Sequence, residues 1–146
     1  LSFGGTKNGL MGAEAVVLFN PSLKKRTAFL HKQMMQLSSK MRFISAQFIA
    51  LLSSDLWQKN AEHANNMAKR LADQVTEVVT IVKPVESNVV FAQLPKEAIE
   101  PLQAQYPFAM WESDKRIVRW MTAFNTPESA VDGFAKAIKE KLHVNV

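Results

Sequence analysis

Lys7 lies in the most specialised stretch of the chain. The segment LSFGGTKNG runs from Leu1 to Gly9, and four of the five glycines in the sequence fall between Gly4 and Gly12, around this one lysine. A glycine-rich loop ahead of a lysine can cradle phosphate, but a P-loop ends in lysine followed by serine or threonine and opens a helix. Here Thr6 precedes Lys7, Asn8 follows it, and the next apolar run reads as a strand, so the order is wrong. A glycine turn carrying one solvated lysine is the plain alternative, since lysines are mostly exposed. A covalent role is also open. Residues without side chains let the backbone approach a flat cofactor closely. A lysine amine with a lowered pKa is a nucleophile towards an aldehyde, which is what pyridoxal phosphate chemistry requires. Spacing alone does not choose between the last two.

Arg119 is the second residue with chemical promise. In the run IVRWMTAF, strand alternation puts Ile117, Arg119 and Met121 on one face. An arginine between apolar neighbours belongs to an exposed face, to a buried ion pair, or to an anionic ligand. A planar guanidinium holds a carboxylate by two parallel hydrogen bonds. Arg42, in KMRF, reads as a solvated or interface arginine of a helix. The Thr6 hydroxyl can bond a phosphate or cap its own loop. Trp111 and Trp120 are expected in the core rather than stacked on a cofactor.

These residues must be positioned by the elements around them. Ala13 to Phe19 is short, apolar and β-branched, and predicts a buried strand. Asn20-Pro21 supplies a cap and a first-turn proline for a long helical region from about Ser22 to Leu52, with SSK at Ser38 to Lys40 marking a kink or break. Another helix starts at Ser54-Asp55 and carries the stripe Trp57, Ala61, Ala64, Met67, Ala68 and Leu71. From about Val75 the pattern changes. VVTIV and NVVFAQL predict strands, and a short helix over Lys96 to Gln105 follows, interrupted by Pro101. FAMW and IVRWMTAF predict two more strands, and TPES at Thr126 to Ser129 starts a final amphipathic helix.

Composition narrows the field. The 146 residues are 47% apolar and 21% charged, enough to bury a core. There is no cysteine, which excludes disulfides, zinc-thiolate sites and a cysteine nucleophile. His31, His63 and His143 lack metal-ligand spacing, so no metal is expected. The net charge of +5 is spread among apolar residues apart from Lys24-Lys25-Arg26, without the aromatic interleaving that reads single strands. No nucleic-acid or membrane partner is expected. A cytoplasmic setting suits the composition.

LSFGGTKNGLMGAEAVVLF resembles the cofactor-lysine segment of the threonine aldolase / β-eliminating lyase family, pyridoxal phosphate enzymes of fold type I. The variant SFGGTKNG looks most like the low-specificity threonine aldolase and phenylserine aldolase branch. LSSKMRFISAQ (Leu37 to Gln47) and IVRWMTAF resemble the family in the same order. The resemblance implies an α/β chain that is the C-terminal part of such an enzyme. Residues 1–52 would be the end of the large cofactor-binding domain with its connecting helices, 53–75 a linker helix, and 76–146 a small β-β-α-β-β-α domain. It implies that Lys7 carries the cofactor, that Thr6 and Arg42 contact its phosphate, and that Arg119 holds the substrate α-carboxylate. The implied reaction is cleavage of a β-hydroxy-α-amino acid, threonine-like or phenylserine-like, to glycine and an aldehyde. The alternatives are β-elimination on related amino acids and an inactive assembly fragment. In the family, the ring-stacking residue, the aspartate for the pyridine nitrogen and the phosphate cup precede the lysine. The isolated chain is therefore expected to be a fragment, inactive alone, needing the preceding part and a homo-oligomeric partner, as a dimer or tetramer.

Overall fold

The computed structural model describes residues 1–142, so His143 lies outside the described residues. The chain divides into two compact units, Leu1–Lys59 and Asn60–Val146.

The first unit opens with a two-stranded ribbon. β1 (Ser2–Gly4) pairs antiparallel with β2 (Glu14–Val16), setting Phe3 opposite Ala15. Between them Thr6–Asn8 form one 3-10 turn. Asn20 then caps a second such turn, Pro21–Leu23, by accepting a hydrogen bond from the Ser22 N–H, as its Asn-Pro sequence predicts. Two helices follow, α1 (Lys24–Gln33) and α2 (Met41–Leu52). The break expected at Ser38 to Lys40 is real but wider: it begins at Met34 and includes Met35 at φ 58°. α3 (Leu56–Val75) starts in this unit and continues into the next.

The buried strand expected over Ala13 to Phe19 is a correction. Only three of its residues are extended, and Val16 through Phe19 are exposed. An unbroken apolar run encodes burial on both faces of a sheet, whereas a two-stranded ribbon has no neighbouring layer to provide it. Other large apolar side chains of the unit are uncovered too. Phe29 is 76% exposed, Met35 90% and Phe43 58%.

The second unit is a two-layer sandwich of helices on one antiparallel sheet. Its strands are β3 (Thr80–Ile81), β4 (Val89–Gln93), β5 (Ala109–Glu112) and β6 (Ile117–Met121), in the order β3-β4-β6-β5. Its further helices are α4 (Lys96–Gln103) and α5 (Glu128–Leu142). Strand alternation sends Val90, Ala92, Val118 and Trp120 to one face, where they meet Leu71 and Val75 of α3, Leu102 of α4 and Ala135 and Ile138 of α5. α4 stays helical for two residues past Pro101. The buried Thr122 hydroxyl donates to the Ala64 carbonyl at 2.7 Å, fastening the end of β6 to α3. The opposite face of the sheet carries Phe91, Arg119 and Trp111.

α3 is also joined to α5 by a clamp. Arg70 donates through Nε and Nη2 to the two Asp132 oxygens at 2.8 and 2.9 Å, and Gln74 donates to the same carboxylate at 2.7 Å. The hydrogen bond from Arg70, then that from Gln74, holds the Asp132 carboxyl at about 2, below its ordinary 3.8. A carboxylate with a depressed pKa contributes stability that is fully present above its unfolded value and is lost as pH falls through its folded one. Asp132→Asn is therefore expected to lower the melting temperature at pH 7 by roughly 2 °C, a modest effect because the pair is solvent-screened. Variant and parent should converge as pH drops through about 2, which melting curves across that range would check.

Candidate active site

The Lys7 turn is built by backbone bonds and held from outside by α2. Gly5 N–H donates to the Ala13 carbonyl at 2.9 Å, while the Gly5 carbonyl accepts from Asn8 and Leu10 at 3.0 and 3.1 Å. Gly9 closes the turn at φ 107°, a left-handed conformation that favours glycine. Gly5 is required for a different reason. A Cβ there would collide with the Leu10 side chain and press on the Ala13 carbonyl oxygen, 3.1 Å away. On its far side the loop is tied to Gln47 of α2, whose Oε1 accepts from the Met11 N–H at 3.0 Å. Phe3 stacks obliquely on Phe48 with ring centres 5.8 Å apart, and Asn8 donates to the Trp57 carbonyl at 3.1 Å.

Within this frame Lys7 is exposed and has no ion-pair partner among the described residues. The turn thus presents a primary amine from a fixed backbone, between Thr6 and Asn8. Thr6 is engaged: its hydroxyl donates to Glu14 Oε1 at 3.3 Å. Arg42 stands exposed in the first turn of α2, its guanidinium 5.0 Å from the Phe43 ring centre. Gln47 was not singled out by sequence. Its signal was a long polar side chain on the apolar stripe of a helix, which has to find a partner.

Arg119, in the second unit, stands on the open face of the sheet between its cross-strand neighbours Phe91 and Ala109. Its Nε is buried and makes no hydrogen bond, and no carboxylate pairs with it among the described residues. A buried donor without an acceptor is costly. The guanidinium carbon lies 5.7 Å from the Trp111 ring centre. Trp111 therefore departs from the core position expected of it: it is 47% exposed on this face, while Trp120, on the opposite face, is only 3% exposed in the core.

Two other features are not sites for this chemistry. An apolar cavity of about 190 Å³ in the second unit, lined by Tyr106, Phe108, Trp120 and Phe134, offers no acid–base group beyond the Tyr106 phenol. His31 and His63 are bound to the backbone carbonyls of Gln36 and Thr126, and the described residues hold no cluster able to bind a metal ion. None of the described helices is long and apolar enough to cross a membrane.

A mixed α/β chain whose glycine-cradled lysine precedes a small antiparallel-sheet module matches one class of known proteins. No family model matches it. Over 107 residues, 72% of the chain, it is 46% identical to a low-specificity L-threonine aldolase of Pseudomonas aeruginosa, covering 31% of that protein. Over 145 residues, 95% of the chain, it is 37% identical to a low-specificity L-threonine aldolase of another Pseudomonas strain, covering 41% of it. The solved structure of a Leishmania major threonine aldolase superposes with a TM-score of 0.89 at 28% identity, over 97% of this chain and 42% of that one. The chain belongs to the threonine aldolase family and corresponds to a C-terminal region of such enzymes. It spans less than half the length of each of these relatives.

Proposed function

We propose that this chain supplies the cofactor lysine and the carboxylate-binding arginine of a pyridoxal phosphate-dependent aldolase that cleaves β-hydroxy-α-amino acids to glycine and an aldehyde. The observation that carries the reading is the Lys7 turn, an unpaired amine on a backbone cradle that a Cβ at Gly5 would disrupt. An exposed amine on a fixed backbone suits an aldehyde cofactor. Lys7 would hold it by attaching Nζ to the aldehyde carbon, and would give way to the substrate's amino group. Arg42 would contact the phosphate, as would Thr6 if its hydroxyl turns from Glu14. When bound, pyridoxal phosphate supplies an electron-withdrawing ring that takes up the electron pair released by carbon–carbon cleavage. Arg119 would fix the amino-acid plane by gripping the α-carboxylate, and the lack of a carboxylate partner among the described residues supports this role.

β-Elimination would draw on the same lysine and arginine, so product analysis with threonine and phenylserine separates the two reactions. The exposed apolar side chains of the first unit support a homo-oligomer, a dimer or tetramer, in which they are covered together with the rest of the large domain. The cysteine-free sequence suits a cytoplasmic enzyme. The 146-residue chain by itself is expected not to cleave threonine, because the relatives it matches are more than twice its length. The test is spectroscopic. The complete enzyme carrying this chain should bind pyridoxal phosphate with a visible absorbance band that borohydride abolishes, leaving the cofactor covalently on the Lys7 peptide. Labelling of any other lysine would refute the assignment.

A further inference from the structure

We infer that Trp111 is the positioning residue of the substrate site: its indole face holds the Arg119 guanidinium in the orientation that receives a carboxylate. The inference rests on the reading of Arg119 given above and names the group on which that reading depends. Its starting point is a break in strand register. Ala109 pairs with Arg119 and Met110 with Val118, but it is Glu112, not Trp111, that pairs with Ile117. Trp111 is thus the extra residue of a β-bulge. Bulges re-aim a side chain and are over-represented beside active sites. Alternation from Ala109, the partner of Arg119, puts Trp111 on the open face, and the shift of register leaves it there without a cross-strand partner, beside the strand that carries Arg119.

The ring is itself held in place. Its centre lies 5.1 Å from that of Phe91, edge to face, and 5.5 Å from the Lys83 ammonium, which also sits 4.6 Å from Phe91. The Arg119 guanidinium carbon is 5.7 Å from the same indole centre, within cation–π range. Arginine stacks on aromatic faces while leaving its N–H edge free. A stacked guanidinium therefore keeps its fork of donors for a ligand, whereas a pairing acid would occupy that fork. No such acid is present among the described residues, and Nε remains unbonded. Arg119 is held by a π-face, and no acid among the described residues competes for its guanidinium.

The test uses the complete enzyme with threonine as substrate. Trp111→Ala and Trp111→Met should each raise KM about fivefold to tenfold with kcat within twofold, the size expected when one cation–π contact is lost. Trp111→Phe, which keeps a π-face, should stay within twofold of the parent in both. Methionine preserves apolar bulk, so the methionine–phenylalanine contrast decides the question even if the alanine variant fails to fold. In an Arg119→Ala background, Trp111→Met should add nothing. A methionine variant with the parent's KM, or a further rise in the double variant, would overturn the inference while leaving Arg119's role intact. An unchanged KM in Arg119→Ala alone would overturn the underlying reading and this inference with it.

Discussion

Replacing Lys7 by alanine in the complete enzyme is expected to reduce kcat for threonine cleavage by about a thousandfold or more, the scale on which nucleophilic and acid–base roles held by one side chain are lost together. The folded state should be almost indifferent to the change. Lys7 is exposed, has no ion-pair partner among the described residues, and sits in a turn held by backbone bonds from Gly5, Gly9 and Ala13. Surface substitutions of this kind usually stay within about 0.5 kcal/mol. The expected signature is an inactive protein with an unchanged melting temperature and no borohydride-sensitive absorbance band. Lys7→Arg should behave alike, since a guanidinium keeps the charge without a nucleophilic amine. A Lys7→Ala enzyme that retained the parent's kcat would end the assignment.

Arg119 carries the second large effect, and its direction on stability is opposite to its direction on function. Loss of a two-point grip on a carboxylate is expected to cost roughly 3 kcal/mol, about a hundredfold in kcat/KM, expressed mainly in KM. Arg119→Lys keeps a charge but not the fork, and should recover only part of that loss. The free protein holds a buried Nε with nothing to accept from it. Arg119→Met removes that donor while still covering Phe91 and Ala109 across the strands, so its melting temperature should equal or exceed the parent's. Steady-state kinetics and thermal melts on the same variant test both halves. A lowered melting temperature with unchanged KM would assign Arg119 to structure.

The small module was legible because its signals are local. Thr126-Pro127 announces α5, and Val131, Ala135 and Ile138 recur at helical spacing and are all buried. The β-β-α-β-β-α order followed from runs with a period of two broken by turn residues. The N-terminal run misled because apolar composition reports what burial a segment needs, not whether the chain in hand provides it. Val16 and Phe19 remain 69% and 80% exposed.

The sequence by itself determined where reactive groups stand along the chain: an amine among glycines at Lys7, a guanidinium amid apolar residues at Arg119. Backbone conformation at those glycines and alternation along that strand are set within a few residues, so they can be read in order. The tertiary structure decided what surrounds those groups. Gln47 reaches Met11 across 36 positions, Thr6 spends its proton on Glu14, and Trp111 meets the Arg119 guanidinium on the open face of the sheet. Such contacts depend on register and on side chains distant in sequence.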